Sequence, residues 1–197
     1  MFITLPQNAA FRSCNMLAGE ITRTAAKIGA SGAVFDAGRG QNISSLTTAV
    51  SSRGNLKLYA PYYSRAQNAA YIVSTAISGG NLRELIESCA EKFGAINTAV
   101  SCEMTRVDFL LPAMNGAGRD ITLDETKRLI EKYRSPSFYS DDLEINYFGY
   151  RDRGQMHMVL YDNSGSLRRK AKLAASLGID ECFIPYAETK SIIEKII

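Results

Sequence analysis

The amino-acid sequence predicts an α/β fold, and three observations support that prediction. First, residues 156–186 contain a strand, a helix and a second strand, an order typical of a right-handed crossover between parallel strands. Second, apolar strand-like runs and amphipathic helical stretches follow one another from Gly32 onward. Third, 46% of the 197 residues are hydrophobic and 22% are charged, which is ordinary for a globular chain. We therefore expect a single domain over residues 1–197.

Local signals mark each part of the C-terminal segment. The apolar run MHMVLY predicts a buried strand, and Asn163 follows it as a helix start. Gly178 stands where a C-terminal helix cap is expected, and the run ECFIPY predicts the second strand. The apolar face of the intervening helix is predicted to carry Leu167, Ala171, Ala174 and Leu177. Its solvated face is predicted to carry Arg168, Arg169, Lys170 and Lys172.

The first half of the chain shows the same kinds of signal. Gly29 and Gly94 each end an amphipathic stretch, and Asn81 opens a helix with Glu84 three residues later. One face of the first helix carries Ile21, Ala25 and Ile28. These signals predict strands at 1–6, 32–36, 56–63 and 70–77, and helices at 18–28, 43–50 and 81–93.

The second half is predicted to continue with strands and one further helix. Thr122 and Glu125 have the spacing of a capping box, which predicts a helix to about Tyr133. Residues 135–142 are rich in turn formers and predict an irregular connection. Strands are predicted at 96–104, 107–112, 144–150 and 155–161, and the last two form an antiparallel hairpin.

Charge and hydropathy exclude two classes of partner. The net charge is +3, and the 23 basic and 20 acidic residues are intermixed without a basic tract, so we expect no nucleic-acid partner. No run approaches the roughly 18 apolar residues that span a bilayer, and the N-terminal residues lack the apolar core of a signal peptide. We expect no membrane partner and a cytoplasmic location.

Metal and cofactor motifs are also missing from the sequence. The four cysteines show no CxxC spacing and are predicted to be buried, reduced thiols. The single histidine, His157, lies in an apolar strand without an acidic residue at ligand spacing, and is predicted to be a core or sheet-edge residue. No glycine-rich segment has the GxGxxG or P-loop pattern. We expect neither a metal nor a cofactor.

Seven spaced residues of the C-terminal segment match a known family: Tyr161, Asp162, Ser166, Lys170, Leu173, Gly178 and Ile179. In these positions the chain resembles the family 18 glycoside hydrolases, especially the chitinase-like spore-germination glycosylases. The resemblance implies a TIM-type (β/α) barrel with a mostly parallel sheet. A complete barrel usually needs about 250 residues, so the resemblance implies a partial or shortened one. Residues 121–161 correspond to the small α+β insertion before the last strand, and barrel strands four to seven align with 33–36, 56–61, 71–75 and 100–104.

The same resemblance implies that the catalytic acid is missing. The family carries a DxxDxE pattern on strand four, and this register places Asp36 at the last Asp and Gly38 at the acid Glu. General-acid assistance contributes about a hundredfold to ten-thousandfold in rate, and glycine has no proton to donate. The chain also has no Trp, and Tyr186 stands near the family's sugar-stacking Trp position. The resemblance thus implies an inactive relative that binds a glycan or serves as an interaction scaffold, with no catalytic residue.

The residues expected at the mouth of the barrel are the candidate ligand-binding residues. Each has an alternative interpretation: Asp36 as a helix cap, the tyrosines as half-buried packing residues, and Glu103 with Arg106 as a surface ion pair. Arg39 and Glu188 are their expected neighbours. The candidate set consists of Asp36, Tyr62, Tyr63, Glu103, Arg106 and Tyr186.

Two other functions stay open at this point. One is a divergent glycosidase that acts on an N-acetylglucosamine-containing polysaccharide, such as peptidoglycan or chitin, with Glu103 or Asp36 as the acid. The other is a structural role in an assembly, because a partial barrel leaves strand edges and apolar faces uncovered. For that reason we expect a homo-oligomer.

Overall fold

The computed structural model describes residues 2–5, 13–113, 118–190 and 192–196. Its strands are β1 (Phe2–Leu5), β2 (Gly32–Phe35), β3 (Lys57–Pro61), β4 (Ala70–Ser74), β5 (Thr98–Ser101), β6 (Arg106–Leu111), β7 (Arg119–Asp120), β8 (Phe138–Ser140), β9 (Ile145–Asp152), β10 (Gln155–Tyr161) and β11 (Cys182–Phe183). Its α-helices are α1 (Cys14–Ile28), α2 (Ser44–Ser51), α3 (Leu82–Phe93), α4 (Leu123–Tyr133), α5 (Ser164–Ser176) and α6 (Tyr186–Thr189).

The strands form two sheets of different kinds. Six parallel strands lie in the order β1-β2-β3-β4-β5-β11, which confirms the predicted partial TIM-type barrel. Five antiparallel strands lie in the order β7-β6-β10-β9-β8. This second sheet includes β6 and β7, which come before residue 121, where the α+β insertion was predicted to begin.

The chain divides into two compact units. The first unit comprises residues 1–73, 88–99 and 178–181, and the second comprises residues 74–87, 100–177 and 182–197. In the first unit, α1 and α2 bury one face each against β2 and β3, through core residues that include Ala18, Ile21, Phe35, Leu46 and Leu58. As predicted, α1 ends at Gly29, whose left-handed backbone (φ 65°) suits glycine.

In the second unit, each face of the antiparallel sheet carries a cluster of buried apolar residues. One face packs Phe148, Tyr150 and Val159 against Leu129 and Ile130 of α4. The other face buries Phe109, Ile145 and Leu160. The helix starts predicted at Thr122 and Asn163 are confirmed. Thr122 and Glu125 form a capping box on α4, and Asn163 forms one with Ser166 on α5.

One organising prediction was wrong. The strand MHMVLY, which is part of β10, pairs antiparallel with both β6 and β9, so both of its edges are occupied within the antiparallel sheet. The other strand of the segment, β11, pairs parallel with β5 in the other sheet. Residues 156–186 therefore do not form a crossover between parallel strands, although the α/β class is confirmed by the remaining strands.

Several element boundaries also differ from the predictions. The first helix begins earlier, at Cys14, and Ile28 on its predicted core face is 41% exposed. Ile96 is 85% exposed because it lies in a 3-10 helix before β5 rather than in the strand. The connection at 135–142 contains the edge strand β8. The end of the first predicted strand at Pro6, and residues 114–117 of the predicted loop, lie outside the described residues.

Among the described residues, no helix combines the length and the apolar composition that crossing a membrane requires.

Candidate functional site

A cavity of about 810 Å³ lies within the second unit, at the carboxyl ends of parallel strands. Its wall includes residues 76–78 after β4, residues 103–107 after β5 and at the start of β6, residues 120–123 from β7 to the start of α4, and Glu188 of α6. The carboxyl ends of strands are where α/β barrels place their ligand sites. Three of the side chains considered in the sequence, Glu103, Arg106 and Glu188, line this cavity together.

The Glu103 carboxylate is held in place by a short chain of hydrogen bonds. The Ser74 hydroxyl donates to Glu103 Oε2 at 3.1 Å, and the Ala76 backbone N–H donates to the same hydroxyl oxygen at 3.1 Å. Because Ser74 ends β4 and Glu103 follows β5, two neighbouring strand ends position this carboxylate. The arrangement fixes one acceptor at the wall of the cavity.

Glu188 supplies a second carboxylate from α6. Its Oε2 accepts a hydrogen bond from the Met104 backbone N–H at 3.3 Å. This contact joins α6 to the loop that carries Glu103. The cavity wall therefore presents two carboxylates, each with one oxygen held by the protein.

Two buried polar atoms beside the cavity have no hydrogen-bond partner among the described residues. They are Arg106 Nε and Thr105 Oγ1. Leaving a buried donor or hydroxyl unsatisfied costs free energy, on the order of 1–3 kcal/mol each, and native proteins rarely do so. The expected Glu103–Arg106 ion pair is not formed, since Glu103 contacts Ser74 instead.

A buried ion pair holds the segment between β5 and β6 through Thr105. Lys170 of α5 is fully buried and donates to Asp162 Oδ2 at 2.8 Å. The same carboxylate accepts from the Ser166 hydroxyl at 2.6 Å and from the Thr105 backbone N–H at 3.1 Å. The prediction that Lys170 belongs to the solvated face of the helix was therefore wrong. The spacing of Ser166 and Lys170, four residues apart on one helix face, was the signal for it.

Three predicted site residues lie in the first unit. Asp36 is exposed directly after β2. Tyr62 and Tyr63 meet edge to face with ring centroids 5.2 Å apart, and the Arg39 guanidinium lies 5.2 Å from the centroid of Tyr63. This pair offers an aromatic surface with a neighbouring cation. That these residues and those of the cavity bind one ligand stays a prediction.

Tyr186 and Gly38 complete the set of positions taken from the resemblance. Tyr186 is 67% exposed at the start of α6 and does not line the cavity of the second unit. Gly38 lies in the turn after β2, and its backbone N–H donates to Gln41 Oε1 at 2.8 Å. Gln41 Oε1 is also the nearest atom that a Cβ on Gly38 would meet, at 3.6 Å. An amide side chain, rather than an acid, thus lies beside this position.

His157 has an acidic partner that the sequence analysis missed. Its Nδ1 lies 3.1 Å from Oδ1 of Asp108, a buried residue of β6, and its ring stacks on Tyr150 at 4.6 Å. The Tyr150 hydroxyl donates to Asp108 Oδ2 at 2.7 Å, and burial together with this bond raises the pKa of Tyr150. Because Asp108 is distant in sequence, no local spacing reveals the pair. The cluster joins three strands of the antiparallel sheet.

The prediction that all four cysteines are buried holds for two of them. Cys89 and Cys102 are buried and Cys14 is half-buried, but Cys182 is exposed. A strand of two residues near the chain end does not cover its side chain on both faces. In the part of the chain that the structure describes, no group of three or more His, Cys, Asp or Glu residues could hold a metal ion.

Comparisons with known proteins identify the fold. No family model matches the chain, and no curated sequence matches it significantly. Solved structures do match. The spore cortex-lytic enzyme SleL of Bacillus cereus has a TM-score of 0.70 and 17% identity over 100% of this chain and 59% of its own. A chitinase of Chromobacterium violaceum has a TM-score of 0.61 and 14% identity over 93% of this chain and 73% of its own.

A plant structure matches over a similar length. A mutant class V chitinase of Nicotiana tobaccum, in complex with NAG4, has a TM-score of 0.64 and 12% identity over 99% of this chain and 80% of its own. The chain thus spans little more than half of the SleL chain and about four fifths of the plant enzyme. The fold of this protein is therefore like that of the family 18 glycosidases, with a six-stranded parallel sheet that forms part of a barrel and a separate antiparallel sheet.

Proposed function

We propose that this protein is a family 18-like glycan-binding protein without hydrolytic activity, and that the cavity of the second unit takes an N-acetylglucosamine-containing glycan. The observation that supports this most directly is the cavity wall itself. Glu103 and Glu188 offer acceptors to sugar hydroxyls, while the guanidinium of Arg106, which lines the same cavity, offers donors to a carbonyl such as that of an acetamido group.

The size of the cavity agrees with a ligand of this class. At about 810 Å³ it falls within the range of roughly 300–1,000 Å³ that is typical of small-molecule sites. The structural neighbours include chitinases, one of them in complex with NAG4. Together these observations favour a chitooligosaccharide or a peptidoglycan fragment over an unrelated small molecule.

The absence of hydrolysis rests on position 38. In the register of the resemblance, Gly38 takes the place of the acid Glu, and the neighbouring side chain is the amide of Gln41. Without a proton donor the leaving sugar oxygen must depart as an alkoxide, which removes about a hundredfold to ten-thousandfold in rate. We therefore expect binding without release of reducing sugar.

Titration calorimetry with NAG4, soluble chitin oligomers and peptidoglycan fragments tests the binding. Arg106→Met keeps an unbranched side chain but removes every donor, so we expect about tenfold to hundredfold weaker binding, corresponding to a charged hydrogen bond of about 1.5–3 kcal/mol. Lys127→Met is the matched control, because Lys127 is exposed on α4 and does not line the cavity. The proposal fails if no glycan binds, or if both variants bind like the wild type.

The alternative is a divergent glycosidase, and the position of Glu103 favours it. Glu103 lies at a strand end, lines the cavity and keeps one oxygen on Ser74, as an acid presented to a ligand would. In that case reducing-sugar release would be detectable in the wild type and lost in Glu103→Gln or Asp36→Asn. Release that survives both substitutions would exclude these residues as the acid.

We also propose that the protein forms homo-oligomers. The strand order of the parallel sheet ends at β1 on one side and at β11 on the other, so each of these strands has one neighbour among the described strands. Unpaired strand edges are commonly covered by another chain. Light scattering should give at least a dimeric mass at micromolar concentration, and a monomeric mass would contradict the proposal.

A further inference from the structure

Two cysteines of the second unit lie side by side at the ends of neighbouring parallel strands. Cys182 of β11 is aligned with Val100 of β5, and Cys102 directly follows the last residue of β5. The two sulfur atoms are 3.2 Å apart, which is within hydrogen-bond distance.

The two thiols differ in exposure. Cys182 is exposed to solvent, whereas Cys102 is fully buried behind it. A reagent dissolved in water can therefore reach the first sulfur and not the second. The backbone between them is fixed by a hydrogen bond from the Cys102 N–H to the Phe183 carbonyl oxygen at 2.8 Å.

The electrostatic environment also differs between the two thiols. The Cys102 S–H donates to the Cys182 sulfur when that sulfur is ionised, which lowers the pKa of Cys182 despite its partial burial. The same contact, together with burial, raises the pKa of Cys102. Since the thiolate is the nucleophile in exchange reactions, Cys182 is the reactive member of the pair.

We propose that Cys182 and Cys102 form a thiol–disulfide exchange site for small-molecule disulfides of the glutathione class. The Cys182 thiolate attacks one sulfur of the disulfide, forms a mixed disulfide and releases the first small thiolate. The Cys102 sulfur then attacks the Cys182 sulfur and displaces the second small thiolate, which takes up the Cys102 proton and leaves as a thiol. The balance is two protein thiols oxidised to one disulfide and one small-molecule disulfide reduced to two thiols.

Formation of the internal bond requires a small movement. A disulfide has a sulfur–sulfur distance of about 2.05 Å, so the sulfur atoms must approach from their present 3.2 Å. The strand that carries Cys182 is only two residues long and ends the strand order of its sheet. We expect β11 to supply this movement, because it has one neighbouring strand rather than two.

The remaining cysteines serve as internal controls. Cys89 is buried, and burial is the main cause that raises the pKa of its thiol, so it should not react. Cys14 is half-buried in α1 of the first unit. If accessibility alone determined the reaction, Cys14 would react with glutathione as well. Its glutathione adduct would persist, because displacement requires a second thiol beside it.

The test is incubation of the intact protein with oxidised glutathione at neutral pH, followed by mass spectrometry. We expect the wild type to lose two hydrogens and, after proteolysis, to show one peptide pair cross-linked through Cys102 and Cys182. This readout needs no variant. A lasting glutathione adduct on Cys182 of the wild type would overturn the role of Cys102, and oxidation confined to Cys14, or none at all, would overturn the site.

Three variants separate the roles of the two thiols. Cys102→Ser keeps a hydrogen-bond donor but cannot attack the mixed disulfide, so it should accumulate the glutathione adduct on Cys182. Cys102→Ala removes the donor too and should form that adduct more slowly than Cys102→Ser. Cys182→Ser should lose both the adduct and the internal disulfide, and a cross-link or adduct at Cys102 in this variant would contradict the assigned order of attack.

Discussion

The buried pair of Lys170 and Asp162 provides the sharpest stability prediction. At 2.8 Å, their attraction is about 6 kcal/mol in an effective dielectric of about 20, and this offsets a desolvation penalty of several kcal/mol for each ion. Lys170→Met removes the cation and leaves the Asp162 charge buried, with Ser166 and the Thr105 N–H as its remaining donors. We expect the free energy of unfolding to fall by about 3–5 kcal/mol.

Urea unfolding followed by circular dichroism measures this loss, because the chain has no Trp to report by fluorescence. The matched control is Lys172→Met, since Lys172 is exposed on the same helix and its replacement should change stability by less than about 0.5 kcal/mol. The double variant Lys170→Met with Asp162→Asn removes both charges, and should be more stable than Lys170→Met alone.

Two results would refute this reasoning. One is a loss below about 1 kcal/mol in Lys170→Met, which would mean that the Asp162 charge is neutralised or solvated without its partner. The other is a double variant whose loss of stability equals the sum of the losses measured for Lys170→Met and Asp162→Asn singly. Additive losses indicate independent sites, whereas residues in direct contact are expected to show coupling.

Other substitutions test the local geometry. A Cβ on Gly118 would collide with Val107, so Gly118→Ala should lower the free energy of unfolding by about 1–3 kcal/mol. Gly19 lies in open space on α1, so Gly19→Ala should raise the free energy of unfolding by about 0.4–1 kcal/mol in the same urea assay. Thr122→Ala removes the capping hydroxyl of α4 and should cost about 1 kcal/mol. The hydrogen bond from the Thr122 backbone N–H is the main cause that lowers the pKa of Glu125. The ionised carboxylate therefore stabilises the fold above about pH 4.5, and this contribution is lost as the pH falls through the lowered pKa. Stability measured against pH should therefore fall more steeply on the acid side for the wild type than for Glu125→Gln, and parallel curves would contradict the assignment.

Local features of the fold were predictable from the sequence because short-range physics determines them. The capping boxes at Thr122 and Asn163 need only residues three positions apart, and both helices begin where these patterns place them. The end of α1 at Gly29 follows from one left-handed residue. The class of the fold followed from repeated apolar runs of strand length, each interpretable without knowledge of its neighbours.

Features that depend on distant partners were missed. The assignment of β10 to the antiparallel sheet depends on β6, and the partner of His157 is Asp108 on that same strand. The burial of Lys170 was missed for a different reason: its partner Asp162 is only eight residues away, but charged side chains are expected at the surface. For the site, Glu103 lies at a strand end and lines the cavity, as the position of ligand sites in barrels predicts, whereas Tyr186, which was expected at the same mouth, does not line this cavity.

The reciprocal backbone link between Thr105 and Asp162 changes how the antiparallel region should be regarded. Thr105 donates to the Asp162 carboxylate, and its carbonyl oxygen accepts from the Asp162 N–H at 2.8 Å. Deleting residues 121–161 as a dispensable accessory module would remove β10 and release the segment that presents Glu103 and Arg106. The antiparallel region is better understood as part of the structure that forms the cavity wall, so we expect a chain trimmed to its parallel strands to lose the cavity.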